Sequence, residues 1–146
     1  METQDRSAMK DAISEVLETM FFVFVDFDDG LAVRQLGECE SQISLSGGEG
    51  AVDISLMASQ EFARMISANL LGVEENDVSS DDLEDTMKEF ANMVGGNFKA
   101  RMESSIQWEL GIPHFRLLAA AEGSSGSGVV FSCFGRPMGE VTWNCV

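Results

Sequence analysis

The chain has one histidine, three cysteines and nine lysine or arginine residues in 146 positions. Each shortage removes a class of function. His114 follows Pro113 at the start of an extended stretch, and no serine or cysteine stands at a readable spacing from it, so a nucleophile triad has no support. Cys39, Cys133 and Cys145 are odd in number and far apart. They form neither a disulfide framework nor a zinc pattern, and fit reduced, partly buried thiols in a cytoplasm. Paired Cys or His ligands and the calcium-loop pattern are missing. Gly47-Gly48-Glu49-Gly50 lacks the Lys-Ser/Thr pair of a phosphate-cradling loop. Against the nine bases stand 25 acids, a formal charge of -16. That balance makes nucleic acid a poor partner and suits a soluble protein, or a partner with basic residues around its docking site. No apolar run reaches the ~18 residues of a membrane span. The polar start METQDRSAMKDA does not read as a signal peptide.

What is present points to one domain over 1–146, with 45% apolar residues to build its core. Residues 5–20 predict a first helix, with Ala8, Met9, Ala12, Ile13, Val16, Leu17 and Met20 inward. Phe21–Phe27 is rich in aromatic and β-branched residues and predicts a strand, or a helix end passing into one, and Asp28-Asp29-Gly30 a turn. Glu38–Ser46 and Ala51–Met57 flank the glycine cluster as a hairpin, with Val52, Ile54 and Leu56 on one face. Ser59 is a candidate N-cap and Gly72 a C-terminal stop for a second helix, whose inner stripe is Phe62, Met65, Ile66 and Leu70. After the third helix, Pro113 pushes Ile112 extended. Strands are expected at His114–Ala121, Val129–Phe134 and Glu140–Val146, with a Gly/Ser loop at Glu122–Gly128 and a turn at Gly135–Gly139. Val141, Trp143 and Cys145 share one face of the last strand. Helix, strands, two helices and a meander give an α+β fold: an antiparallel sheet with two long helices and a shorter one on one face.

The third helix, Ser79–Met102, organises this pattern. Leu83, Met87, Phe90, Val94 and Phe98 recur at helical spacing and form an apolar stripe. Ser79 and Asp82 resemble a capping box, and the acids of the first turns suit the helix dipole. Neither accounts for the opposite face, where Asp85, Glu89, Asn92 and Gly96 stand three or four apart. Asn and Gly are poor helix formers, and each of Gly95 and Gly96 should cost roughly 1 kcal/mol relative to Ala. A glycine pair can serve close packing. Local rules are also broken at functional sites. An amide carries a donor and an acceptor on a short arm and could hold a water for attack on a phosphoryl group. A carboxylate one turn away could pair with a partner's lysine. A glycine one turn beyond the amide would admit a partner's backbone. An ordinary solvated face is the competing reading.

The run Asp85-Thr-Met-Lys-Glu89-Phe-Ala-Asn92-Met-Val-Gly-Gly96-Asn97 resembles the D/S-x-x-x-E-x-x-N signature of the CheC/CheX/FliY chemotaxis phosphatases. Leu70-Leu71-Gly72 before it and Leu110-Gly-Ile-Pro113 after it fit the same family, so the resemblance covers roughly residues 5–146. It implies an antiparallel sheet with two long helices on one face. It further implies hydrolysis of the aspartyl-phosphate of a CheY-type response regulator, with Asn92 directing the water and Glu89 salt-bridging a lysine of the regulator. Asp85, Lys88 and Gly96 would be partner-binding positions. The chain would bind no cofactor, and magnesium would belong to the partner. On the first helix the matching stretch, Asp11-Ala-Ile-Ser-Glu15-Val-Leu-Glu18, has glutamate where asparagine should be. A carboxylate repels a charged phosphoryl centre, so one active helix is expected, as in CheX. CheX-like members also imply a homodimer through sheet edges, for which the final strands are candidates. The alternative is a non-catalytic module of the same fold that binds a regulator without turnover.

Overall fold

The stripe of the third helix needs a flat apolar partner, and the strands supply it. The computed structural model describes residues 3–27, 38–48, 50–102, 106–118 and 128–145. The expected turn at 28–30, Glu49 of the hairpin, the Gly/Ser loop at 122–127 and the end of the expected 114–121 strand lie outside these residues.

In chain order the elements are α1 (Thr3–Met20), β1 (Asp26–Phe27), β2 (Cys39–Gly47), β3 (Gly50–Ala58), α2 (Gln60–Leu71), α3 (Ser80–Arg101), β4 (Glu109–Leu110), β5 (His114–Leu117), β6 (Val129–Cys133) and β7 (Arg136–Cys145). A single 3-10 turn at Glu75–Asp77 links α2 to α3. Among the described residues the strands form one antiparallel sheet in the order β1-β6-β7-β3-β2-β4, and β5 pairs with β2 beside β4. This is the α+β architecture expected.

The central hairpin sets the register. Ile43 faces Ile54 and Leu45 faces Val52 across β2 and β3, and Ile54 faces Trp143 across β3 and β7. Alternate side chains therefore line one face, which the helices cover. Leu83, Met87, Phe90, Val94 and Phe98 of α3 are at most 5% exposed. Phe90 stands edge-on to Phe21 at 5.7 Å and to Phe131 at 6.4 Å between ring centroids, and Phe98 meets Trp143 at 6.0 Å. One helix thus touches α1 and both halves of the sheet. The capping box at its start is complete: the Asp82 N–H donates to Ser79 Oγ and the Ser79 N–H to Asp82 Oδ2, each at 3.0 Å. Ser59 caps α2 by accepting from the Phe62 N–H, and Gly72 ends it in the left-handed conformation at φ 69°.

Several expectations are corrected. Of the two readings of Phe21–Phe27, the helix end passing into a strand is the one found, with only Asp26–Phe27 in the sheet. The Phe21 and Val23 N–H groups both donate to Leu17 O, and Phe22 has φ 59°, so the run closes α1. Its alternation is real, with Phe21 and Val23 buried and Phe22 and Phe24 exposed, but the chain reaches the sheet only at Asp26. β5 ends at Leu117. The turn expected at Gly135–Gly139 is two residues long: Phe134 and Gly135 both take positive φ, and Cys133 pairs directly with Arg136. Leu70 and Met20, expected inside, are 36% and 39% exposed; Ala63, Ser67 and Ala68 complete the buried face of α2. The final strand is no edge, because β7 lies between β6 and β3. Cys39 and Cys133 are buried and Cys145 exposed, all three unbridged.

Gly95 has an internal reason to lack a side chain. A Cβ there would stand 3.0 Å from Leu110 Cδ1 and 3.1 Å from Ile43 Cγ2, so the close packing it permits is of helix against strand. Gly95→Val should overpack this contact and destabilise the fold by about 2 kcal/mol, measured as a lower urea midpoint at unchanged slope.

Candidate functional site

A helix pinned on one side by five buried side chains must turn its other side outward. Asp85 and Glu89 are exposed, and Asn92 and Gly96 are half-buried. Thr86, Ala91 and Gly95, on the two flanks, are buried, so the outward strip is narrow and its rotational setting is fixed. Among the described residues, the side chains of Asp85, Glu89 and Asn92 have no hydrogen-bond or ion-pair partner. The carboxylate and the amide, one turn apart, are therefore available to an incoming molecule. Lys88 is differently placed. Its ammonium lies 3.0 Å from Glu84 in an i,i+4 pair on the flank nearer β5. A cavity of about 350 Å³ opens on that flank between α3 and β5, with Arg64, Asp81, Glu84, Phe115 and Leu117 in its lining.

The opposite flank of α3 faces α1, and here the structure adds what the sequence did not reveal. Glu15 Oε2 accepts from Asn97 Nδ2 at 2.5 Å and from Arg101 Nη2 at 2.7 Å. Arg101 Nε donates to Asn97 Oδ1 at 2.5 Å, and Arg101 Nη1 lies 3.8 Å from Asp11. Asp11 and Glu15 are the first two acids of the degenerate stretch on the first helix. The acid that would dock a partner from α1 is thus already held by a guanidinium of its own chain. Asn97, which continues the run of α3, is consumed by the same clasp. The signal was faint: acids four apart on α1 and a lone arginine ending α3.

His114 sits on β5, exposed, its backbone paired opposite Gln42. Among the described residues no three His, Cys, Asp or Glu side chains are grouped to hold a metal ion, and no helix is long and apolar enough to cross a membrane.

Residues 41–131 match the family described as chemotaxis phosphatase CheX. The chain belongs to the CheX family. No curated protein matches it significantly. Among solved structures, the family's fold is met in CheX from Vibrio vulnificus, at 19% identity and TM-score 0.73, covering 97% of this chain and 100% of that one. A chain of the CheX–CheY–BeF3–Mg2+ complex from Borrelia burgdorferi aligns at 20% identity and TM-score 0.72, covering 95% of this chain and 96% of its own. FliY from Thermotoga maritima is more distant, at 8% identity and TM-score 0.59 over 98% of this chain and 90% of that one.

Hydrogen bonds from Asn97 and Arg101 hold the Glu15 carboxyl below its usual range. A depressed folded-state value stabilises above the unfolded value and is lost as pH falls through the folded one. Glu15→Gln should therefore lower the thermal midpoint slightly at pH 7. The gap should close as pH drops below the ordinary glutamate value of 4.5, read from melts at pH 7 and pH 3.

Proposed function

We propose that this chain hydrolyses the aspartyl-phosphate of a CheY-type response regulator, with α3 as the element that enters the regulator's phosphorylation site. The observation that carries this reading is the outward, unpartnered pair of Glu89 and Asn92 on a rigid helix. The Asn92 amide accepts a hydrogen from a water through Oδ1 and donates through Nδ2, which orients the water in line with the phosphorus–oxygen bond to be broken. Water adds to phosphorus, the aspartate carboxylate leaves, and inorganic phosphate is released. Glu89 pairs with a lysine of the regulator and fixes the register of docking. Asp85 extends the acidic strip toward the partner. Lys88, tied to Glu84, reaches the partner only by exchanging that ion pair, so its contribution to docking is the smallest of the set.

The chemistry asks for no cofactor on this chain; magnesium stays with the regulator. The likeness to the Borrelia CheX–CheY–BeF3–Mg2+ complex supports a regulator as partner. One sheet and one apolar core support reading 1–146 as a single domain. A cytoplasmic homodimer completes the proposal. Any sheet-edge contact would use β1 or the β4–β5 side, since β7 is internal.

The test is phosphate release from a phosphorylated CheY-type regulator. Asn92→Ala should lose about 100-fold or more of the acceleration, as when one preorganised donor is removed, while still binding. Glu89→Ala should weaken docking and shift stability by no more than ~0.5 kcal/mol. Full acceleration by Asn92→Ala contradicts the water-positioning role, and tight binding without acceleration by the wild type leaves a non-catalytic binding module.

A further inference from the structure

The two adjacent glycines of α3 have opposite surroundings. Gly95 is buried against Ile43 and Leu110, which a side chain would crowd. Gly96 faces outward, and a Cβ added there would meet only Leu110 Cδ2 at 4.0 Å, an ordinary van der Waals distance. Its φ is not positive, so the helix does not require glycine on conformational grounds. Glycine inside a helix is destabilising relative to alanine. Nothing within the described fold explains why α3 gives up a side chain at 96.

Position 96 lies one turn beyond Asn92 on the same outward strip, four residues along the helix, where successive side chains stack over one another. A side chain there would lean toward the preceding turn and share the space in front of the amide. The bare backbone at 96 therefore forms a shallow notch, walled on one side by the Leu110 side chain.

We infer that Gly96 is a docking position, whose missing Cβ lets the main chain of the regulator approach the α3 backbone within van der Waals contact, beside Leu110 and one turn from Asn92. This rests on the proposed phosphatase reading. Stability is surrendered at 96 for clearance, and the clearance acts on docking and not on the chemical step. A methyl group there weakens docking, because the regulator's main chain must accommodate it before the two surfaces close. A longer side chain does so more.

Gly96→Ala and Gly96→Gln separate this from a structural role, since both residues are better helix formers than glycine. The thermal midpoint should rise by about 3 °C in each. The concentration of phosphorylated CheY-type regulator giving half-maximal phosphate release should rise about tenfold for Ala and further for Gln. The rate at saturation should change less than twofold for Ala. Variants that are stabilised yet keep the wild-type half-maximal concentration overturn the inference. So do variants that lose stability, because Gly96 is then required by the fold. Asn92→Ala, run alongside, isolates the underlying reading: its loss of acceleration with unchanged Gly96 variants sinks only the clearance role. Full activity of Asn92→Ala sinks the phosphatase reading itself.

Discussion

The burial of one stripe on α3 is the contact on which the rest depends. Five apolar side chains at helical spacing leave water together, and they can do so only at one rotation of the helix about its axis. At about 25 cal/mol per Å², full burial of a large side chain contributes roughly 1.5–3 kcal/mol. Rolling the helix would expose several of them at once. The outward setting of Glu89 and Asn92 is thus a consequence of hydrophobic packing on the far side. A polar pair of this kind needs no internal partner to hold its direction, and it has none among the described residues.

The two ends and flanks of α3 refine that setting. The capping box fixes the entry of the chain. Gly95 lets the helix sink toward Ile43 and Leu110. On the far flank the Glu15–Asn97–Arg101 clasp joins α3 to α1 and occupies the face of α1 that resembles a second motif. An exposed cluster of this kind adds little net stability. It also pairs Asp11 and Glu15 with Arg101, whereas Asp85, Glu89 and Asn92 have no partner among the described residues.

Much of this was legible in the sequence because it is local. A 3.6-residue period in α3, Ser59 and Gly72 at the ends of α2, and the glycine cluster between two alternating runs each act within a few residues. The motif Glu89-x-x-Asn92 was legible for the same reason, since both residues ride on one helix. What was not legible depends on partners distant in sequence. The clasp spans 82 residues. Whether β7 is an edge or a central strand is decided by β6 and β3 lying on either side of it. Glu40 and Glu140 are acids on strands, unremarkable by alternation, yet both are buried: Glu40 accepts from Ser55 and from Arg116, and Glu140 from the Gly128 backbone. The aromatic run after α1 left two readings open, because its alternation matches a strand while its hydrogen bonds, made back to Leu17, belong to a helix end.

The central claim is geometric: a carboxamide and a carboxylate, carried outward on α3, reach the phosphorylation site of another protein. A crystal structure of this chain with a CheY-type regulator activated by beryllofluoride and Mg2+ tests it most directly. The account predicts α3 at the interface, the Asn92 amide turned toward the beryllofluoride, and Glu89 against the regulator's lysine. A complex in which the regulator binds elsewhere and Glu89 and Asn92 remain in solvent would contradict it.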